Sequence, residues 1–173
     1  KIQSSIENPH KNKIDINDLY LGIDSIRNRS EGLMKFANTY RGLNKIDHLN
    51  LSHTSIGVLY ESISNLLQPS LSSKNIEMQF NLENPELQIE MDTSLIEQVL
   101  INLIKNAVEA CKNVEKPLIK ISAEKNIEGI GIIKISDNGS GIPNEILDKI
   151  FIPFFSTKKN GSGIGLSHCQ QIM

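Results

Sequence analysis

The segment DTSLIEQVLINLIKNAVEACK, residues 92–112, constrains the fold more than any other stretch of the chain. Leu95, Ile96, Val99, Leu100, Leu103, Ile104, Ala107 and Val108 recur at helical spacing and cover most of the circumference. A helix apolar on that many sides has to be covered by other elements, so the pattern predicts a core helix. Asp92 or Ser94 is the expected N-cap, and Ser94 with Glu97 fits a capping box. The polar residues of this helix are also ordered. Gln98, Asn102, Asn106 and Glu109 stand at i, i+4, i+8 and i+11 and form one stripe. Buried amides need hydrogen-bond partners, so such a row implies a polar cavity, ordered water or a ligand. A solvated face is the other reading, and it stays open for Glu109. Asn102 and Asn106 fit it less well, because surface positions normally collect Lys and Glu. An Asn carbonyl oxygen suits magnesium, which takes few protein groups and keeps phosphates and waters.

Around this helix the pattern alternates between the two structural periods. Residues 56–73 carry Val58, Leu59, Ile63, Leu66, Leu67 and Leu71 at helical spacing. IEMQFNLE (76–83) and LQIEM (87–91) read as strands, and the NPE turn between them predicts a hairpin. PLIKISAE and GIGIIKISDN read as two further strands, antiparallel across KNIEG. NEILDKIF reads as a short helix, IPFFSTKKN as a loop, and GSGIGLSHCQQIM as a glycine loop running into a helix. The connection IDHLNLSHTS includes a short strand, and residues 1–17 read as a polar loop or frayed terminus.

Upstream, Leu19, Ile23, Ile26, Ser30, Leu33, Ala37 and Tyr40 are spaced 4, 3, 4, 3, 4, 3 within a helix over residues 18–46. Two readings fit this seam: an amphipathic helix lying on the main domain, or one strand of a helical hairpin that pairs with another helix and a second subunit.

Glycine is costly in ordered structure, yet DNGSGIP (137–143) and GSGIGL (161–166) hold five glycines between them. A carboxylate at a strand end backed by glycines, as at Asp137, can accept a hydrogen bond from a ligand amine; DNG is equally a turn sequence. Gly161, Gly163 and Gly165 open a helix and offer backbone N–H groups to an anion, with Lys158 and Lys159 just before them. The run does not match the Walker pattern, and no strand precedes it as a dinucleotide fingerprint requires. His10, His48, His53 and His168 have no metal-type or nucleophile partners nearby and read as surface or linker residues. Cys111 and Cys169 lack metal spacing and read as reduced thiols. A net charge of -2 with no basic run argues against nucleic acid as a partner, and no apolar stretch is long enough to span a bilayer.

Taken in order, NLIKNAVEA (102–110), DNGSGI (137–142), FIPFFSTK (151–158) and GSGIGL (161–166) resemble the N, G1, F and G2 boxes of sensor histidine kinases. The resemblance covers roughly residues 50–173, and the superfamily is shared with gyrase, the ninety-kilodalton heat-shock chaperones and mismatch-repair ATPases. It implies an α/β two-layer sandwich of the Bergerat type, preceded by a long helix of a helical hairpin. Residues 1–48 would be part of a dimerisation and phosphotransfer hairpin, and residues 49–173 an ATP-binding domain truncated at its C-terminal end. It implies ATP and Mg2+ as cofactors, with Asp137 binding the adenine amine and Asn106 as the metal ligand. Asn102, Asn106 and Lys158 would be the catalytic residues. Lys105, Gly139, Gly141, Ile142, Thr157, Gly161, Ser162, Gly163, Ile164, Gly165 and Leu166 would complete the nucleotide site. Phe154 and Phe155 would pack the root of a lid over it.

In the gyrase-like branch a Glu stands where this chain has Asn102, which cannot act as a base; that fits a phosphotransferase rather than a water-activating ATPase. The chain departs from the family at Ile152, usually acidic, and in having no histidine that fits the phosphoacceptor motif, so the acceptor is expected upstream of Lys1. The partners implied are a response-regulator receiver domain and a second copy through the hairpin. The segment would be cytoplasmic, with membrane attachment only through regions outside it. A nucleotide-binding scaffold and an anti-sigma-type serine kinase are the alternatives, the latter disfavoured by the heptad helix.

Overall fold

The computed structural model describes residues 16–43, 49–82, 84, 86–158 and 161–173, with the backbone alone for 35, 36 and 38–43. The stretch 1–15, with His10, and residues 44–48, with His48, lie outside the described residues, as does the side chain of Tyr40. The chain divides into two compact units, Lys1–Lys45 and Ile46–Met173.

In the first unit α1 runs over Ile16–Leu43. The seam residues Leu19, Ile23, Ile26 and Leu33 are all exposed along it. Asp24 pairs with Arg27 and accepts from Asn28 Nδ2 at 3.1 Å, the one-turn spacing at which helical side chains meet.

The second unit starts with β1 (Ser52–Ser55) and α2 (Ile56–Ser72), followed by β2 (Glu77–Leu82) and β3 (Gln88–Met91). Then come α3 (Thr93–Ala110), β4 (Leu118–Lys125), β5 (Gly131–Asp137), a 3-10 turn over Asn144–Lys149, and α4 (Gly165–Ile172). α2 ends where Asn75 takes φ 53° and Ile76 N reaches back to Leu71 O at 3.0 Å, a left-handed cap that Asn tolerates.

The expected hairpin of residues 76–91 does not form. β2 pairs parallel with β4, which pairs antiparallel with β5, while β3 pairs antiparallel with β1 in a separate two-stranded sheet. A tight hairpin needs a turn that twists the chain back on itself. Here Asn84 Oδ1 instead accepts from Glu86 N at 3.0 Å, and Leu87 O accepts from Ile56 N at 2.9 Å, leading the chain toward the start of α2. The parallel β2–β4 pair then needs a long crossover, and α3 supplies it.

α3 is capped by Asp92, whose Oδ1 accepts from Leu95 N at 3.2 Å and whose Oδ2 accepts from Asn50 N at 3.0 Å. The Ser94–Glu97 box is therefore not used: Ser94 is already inside the helix, and Glu97 accepts from Ser62 Oγ of α2 at 2.8 Å.

The core lies between the helices and the three-stranded sheet, so the α/β two-layer arrangement holds. β4 alternates strictly, with Ile119, Ile121 and Ala123 buried and Lys120 and Glu124 exposed. Those inward residues join Ile56, Leu59, Ile63 and Leu71 of α2 and Leu100, Ile104, Ala107 and Val108 of α3. Tyr60 packs on Phe80 at a centroid distance of 4.9 Å, and burial pushes its phenol up to about 12.

Candidate functional site

The polar stripe of α3 meets the last segment of the chain. Gln98 Oε1 lies 3.5 Å from His168 Nε2. Asn102 Nδ2 donates to Cys169 Sγ at 3.1 Å, and Asn106 Oδ1 accepts from Lys158 Nζ at 2.9 Å. Glu109 leaves this pattern and pairs with Lys112 at the surface; that hydrogen bond holds its carboxyl below the usual range, helped by the charges of Lys112, Lys158 and Lys74. The stripe is thus a rail on which α4 and the loop before it are seated.

α4 fits the rail closely. A Cβ on Gly165, the first residue of α4, would stand 2.6 Å from Asn102 Oδ1, so the helix start and that amide occupy adjoining space. Buried Ser167 donates through Oγ to Ile164 O at 2.8 Å. Cys169 is buried against Val99, and burial pushes its thiol up, opposed by the hydrogen bond from Asn102. His168 is half-buried, not the surface residue expected, because it lies on the same side of α4 as these contacts. Burial lowers its imidazole below the usual 6.5.

The loop preceding α4 is pinched at its base. Phe154 N donates to Gly163 O at 2.9 Å, and both residues hold left-handed backbones, φ 68° and 67°. A Cβ on Gly163 would stand 2.4 Å from the Phe154 carbonyl carbon, so only glycine fits there. A positive φ at a residue as large as Phe is strained, and such strain persists only where the surroundings impose it. Between these two points, Lys158 N donates to Ser156 Oγ at 3.1 Å, and Lys158 is the residue that reaches Asn106.

The other glycine patch ends β5. Asp137 Oδ1 accepts from Gly139 N at 2.9 Å, a local turn that leaves the carboxylate exposed. Gly139 lies against the end of α3: a Cβ there would stand 2.6–2.7 Å from Ala110 backbone atoms, and Ser140 N donates to Ala110 O at 3.1 Å. Gly141 takes φ 69° with open space where a Cβ would be. Beneath the turn is the thiol of Cys111, pushed up by burial and by the Asp137 charge.

A family model described as histidine kinase-, DNA gyrase B- and HSP90-like ATPase matches residues 91–173. The solved catalytic domain of the histidine kinase ThkA, in a nucleotide-free form, is 36% identical with a TM-score of 0.64, covering 71% of this chain and 79% of that one. The chain belongs to the ATP-binding catalytic domains of the histidine kinases. Sporulation kinase D of Bacillus subtilis (strain 168) is 36% identical over 104 residues, which is 60% of this chain and 20% of that protein. The chain therefore spans about a fifth of the length of that curated relative. A second structure, of ThkA in complex with the response regulator protein TrrA, is 29% identical with a TM-score of 0.63 over 99% of this chain and 49% of that one.

Within this histidine kinase domain, the residues of the boxes fall into three groups. Asn106 meets Lys158, Asn102 meets Gly165 and Cys169, and Asp137 meets Gly139. Ile142, Thr157, Gly161 and Ser162 are exposed, Leu166 is half-buried, and Ile164, the N-cap residue of α4, is buried. Lys105 is exposed on α3 and joins none of these groups through a hydrogen bond or ion pair among the described residues. The sequence reading missed Asn138, whose side chain bonds to the backbone of residues 116–118, and Cys169. Helical spacing from Gly165 places Cys169 one turn on, on the same side, and would have found it.

The magnesium implied by the family can be tested against the donors present. Asn106 Oδ1 is half-buried and already accepts from one cation, the Lys158 ammonium. Among the described residues no group of three or more His, Cys, Asp or Glu could hold a metal. A single amide oxygen beside a triphosphate fits magnesium, which completes its shell with phosphate oxygens and water.

Proposed function

We propose that this segment is the catalytic region of a sensor histidine kinase, which binds Mg-ATP and passes the γ-phosphoryl to a histidine outside the segment. An aspartate of a response-regulator receiver domain then takes it. The observation that carries this reading is the convergence of Asn106 and Lys158, an amide oxygen and a mobile-length cation joined at 2.9 Å beside the glycine loop.

In this reading the exposed carboxylate of Asp137 accepts from the exocyclic amine of adenine, and the open space at Gly141 admits the base. Asn106 would hold magnesium, which when bound neutralises charge on the phosphates. Lys158 exchanges Asn106 for the phosphate oxygens and neutralises charge there. The bond from the γ-phosphorus to the bridging oxygen breaks, a phosphorus–nitrogen bond forms to an imidazole, and ADP leaves. Asn102 contributes position, not basicity: its amide seats Gly165 and Cys169 and offers no group to activate water. Such transfer rests on placement and electrostatics.

The heptad spacing along α1 supports the hairpin reading, with residues 1–48 as part of a dimerisation unit and 49–173 as the catalytic domain. The complex of ThkA with TrrA supports a receiver domain as partner. The kinase reading places the segment in the cytoplasm, with any membrane contact elsewhere; among the described residues no helix is long and apolar enough to cross a membrane.

Calorimetric titration with a non-hydrolysable ATP analogue, with and without magnesium, tests the site. Magnesium-dependent binding should be lost in Asp137→Asn and weakened in Asn106→Ala. Binding that ignores both substitutions in a folded chain would sink the assignment.

A further inference from the structure

Asn138 stands between Asp137 and Gly139 and has no part in the reading above. An exposed Asn in a turn ordinarily bonds its own loop. Here that local bond belongs to Asp137, and Asn138 reaches instead to residues 20 and 22 positions earlier. Its Oδ1 accepts from Leu118 N at 2.8 Å, and its Nδ2 donates to Lys116 O at 2.8 Å. These two contacts fix the amide's orientation, since the flipped side chain would set donor against donor and acceptor against acceptor.

The contacts form a clamp around one point of the chain. Leu118 opens β4, and its carbonyl accepts from Asn138 N at 3.2 Å, so both its backbone groups are taken by Asn138. The ladder pair Ile119↔Asp137 is thereby closed on its open side. The Cys111 thiol at the end of α3 donates to the same Oδ1 at 3.7 Å. On the other side of the turn, Ser140 N holds Ala110 O and Gly139 packs on Ala110. The turn is thus tied to β4 and to the end of α3, with Asp137 at the edge of the tied segment.

We propose that Asn138 is a positioning residue for base recognition: its amide fixes the backbone from which the Asp137 carboxylate reads the adenine amine. The inference rests on the nucleotide role given to Asp137 above. A carboxylate that distinguishes an amine from a carbonyl must be held within a few tenths of an ångström, on the order of 0.5 Å, because discrimination comes from a polar group that the bound base covers and leaves unpaired. Asp137 is at a strand end, where backbone frays unless tied. Asn138 supplies the tie without touching the nucleotide.

The test compares two nucleotides on one chain. A non-hydrolysable ATP analogue and the corresponding inosine analogue, which has a carbonyl in place of the exocyclic amine, are titrated into the full chain, Asn138→Ala and Asn138→Asp. The readout is the ratio of the two affinities, which does not depend on the folded fraction because unfolding weakens both alike. The unsubstituted chain should prefer the adenine analogue by about tenfold or more, and Asn138→Ala should cut that preference by about tenfold, with inosine binding little changed. Asn138→Asp keeps an acceptor for Leu118 N but sets an oxygen against Lys116 O, and should lose part of the preference. An unchanged ratio in both variants overturns the positioning role alone. An unsubstituted chain that binds both analogues equally, or neither, overturns the nucleotide role of Asp137 and this inference with it.

Discussion

Lys158 Nζ donates to Asn106 Oδ1 at 2.9 Å across 52 residues of sequence, joining the loop before α4 to the C-terminal part of the core helix. In the proposed site both groups would meet a bound triphosphate, so the contact is one that nucleotide would have to rearrange. Lys158→Ala should weaken binding of the ATP analogue about tenfold, and less in high salt, since exposed charges are screened. Asn106→Ala should weaken it and remove its dependence on magnesium. Because the two side chains touch, the double variant should depart from additivity by on the order of 1 kcal/mol in a calorimetric double-mutant cycle. Strict additivity would mean that the contact carries no weight in binding.

Gly139 and Gly141 should respond differently to alanine. At Gly139 the new methyl would stand 2.6–2.7 Å from Ala110 backbone atoms, which cannot swing aside. The cost should be at the upper end of the overpacking range, about 3 kcal/mol by urea unfolding. At Gly141 there is room, and only the φ of 69° opposes a side chain, so about 1 kcal/mol is expected. Equal losses would show that the approach to α3 is looser than described.

The half-buried His168 gives a pH dependence of known sign. Burial holds its imidazole below the usual 6.5, so the folded chain resists a proton that the unfolded chain accepts. Its contribution is fully present above about 6.5 and declines as pH falls from there toward the folded value. Thermal melts from neutral pH downward should show a fall in Tm that is shallower in His168→Gln, which cannot titrate. Parallel curves would remove His168 from the account.

Cys111 and Cys169 are both buried, and burial raises both thiols, so little thiolate is available to react. In the folded chain at mild alkaline pH, alkylation should be slower than in denaturant by at least about tenfold. Fast labelling of Cys169 would mean that α4 opens readily from α3.

Replacing Ile104, fully buried between α3 and the sheet, by Ala should cost about 2–5 kcal/mol through lost burial and a residual cavity. Denaturant unfolding measures it, and a loss below about 1 kcal/mol would mean that the core closes around the gap.

Much of the site was legible because it depends on short-range pattern. The apolar periods of α2 and α3, the alternation of β4, and the ordered stripe of Gln98, Asn102 and Asn106 are properties of one element at a time. So is the glycine at position 163, where backbone geometry excludes other residues. Apart from the burial of His168, the failures were questions of partner choice. Strands 76–83 and 87–91 read as neighbours because they are adjacent in sequence, yet β2 found β4 and β3 found β1. Ser94 and Glu97 had the spacing of a capping box, but Asp92 lay one residue ahead of the helix and Ser62 claimed Glu97. Asn138 looked like an ordinary turn residue until the start of β4 was placed beside it. Sequence by itself determined which residues form each helix and strand, because local propensity and periodic burial act within a few residues of chain. Only the tertiary structure decided which amide meets which carbonyl, because those bonds join positions 20 to 70 residues apart and depend on how the layers stack.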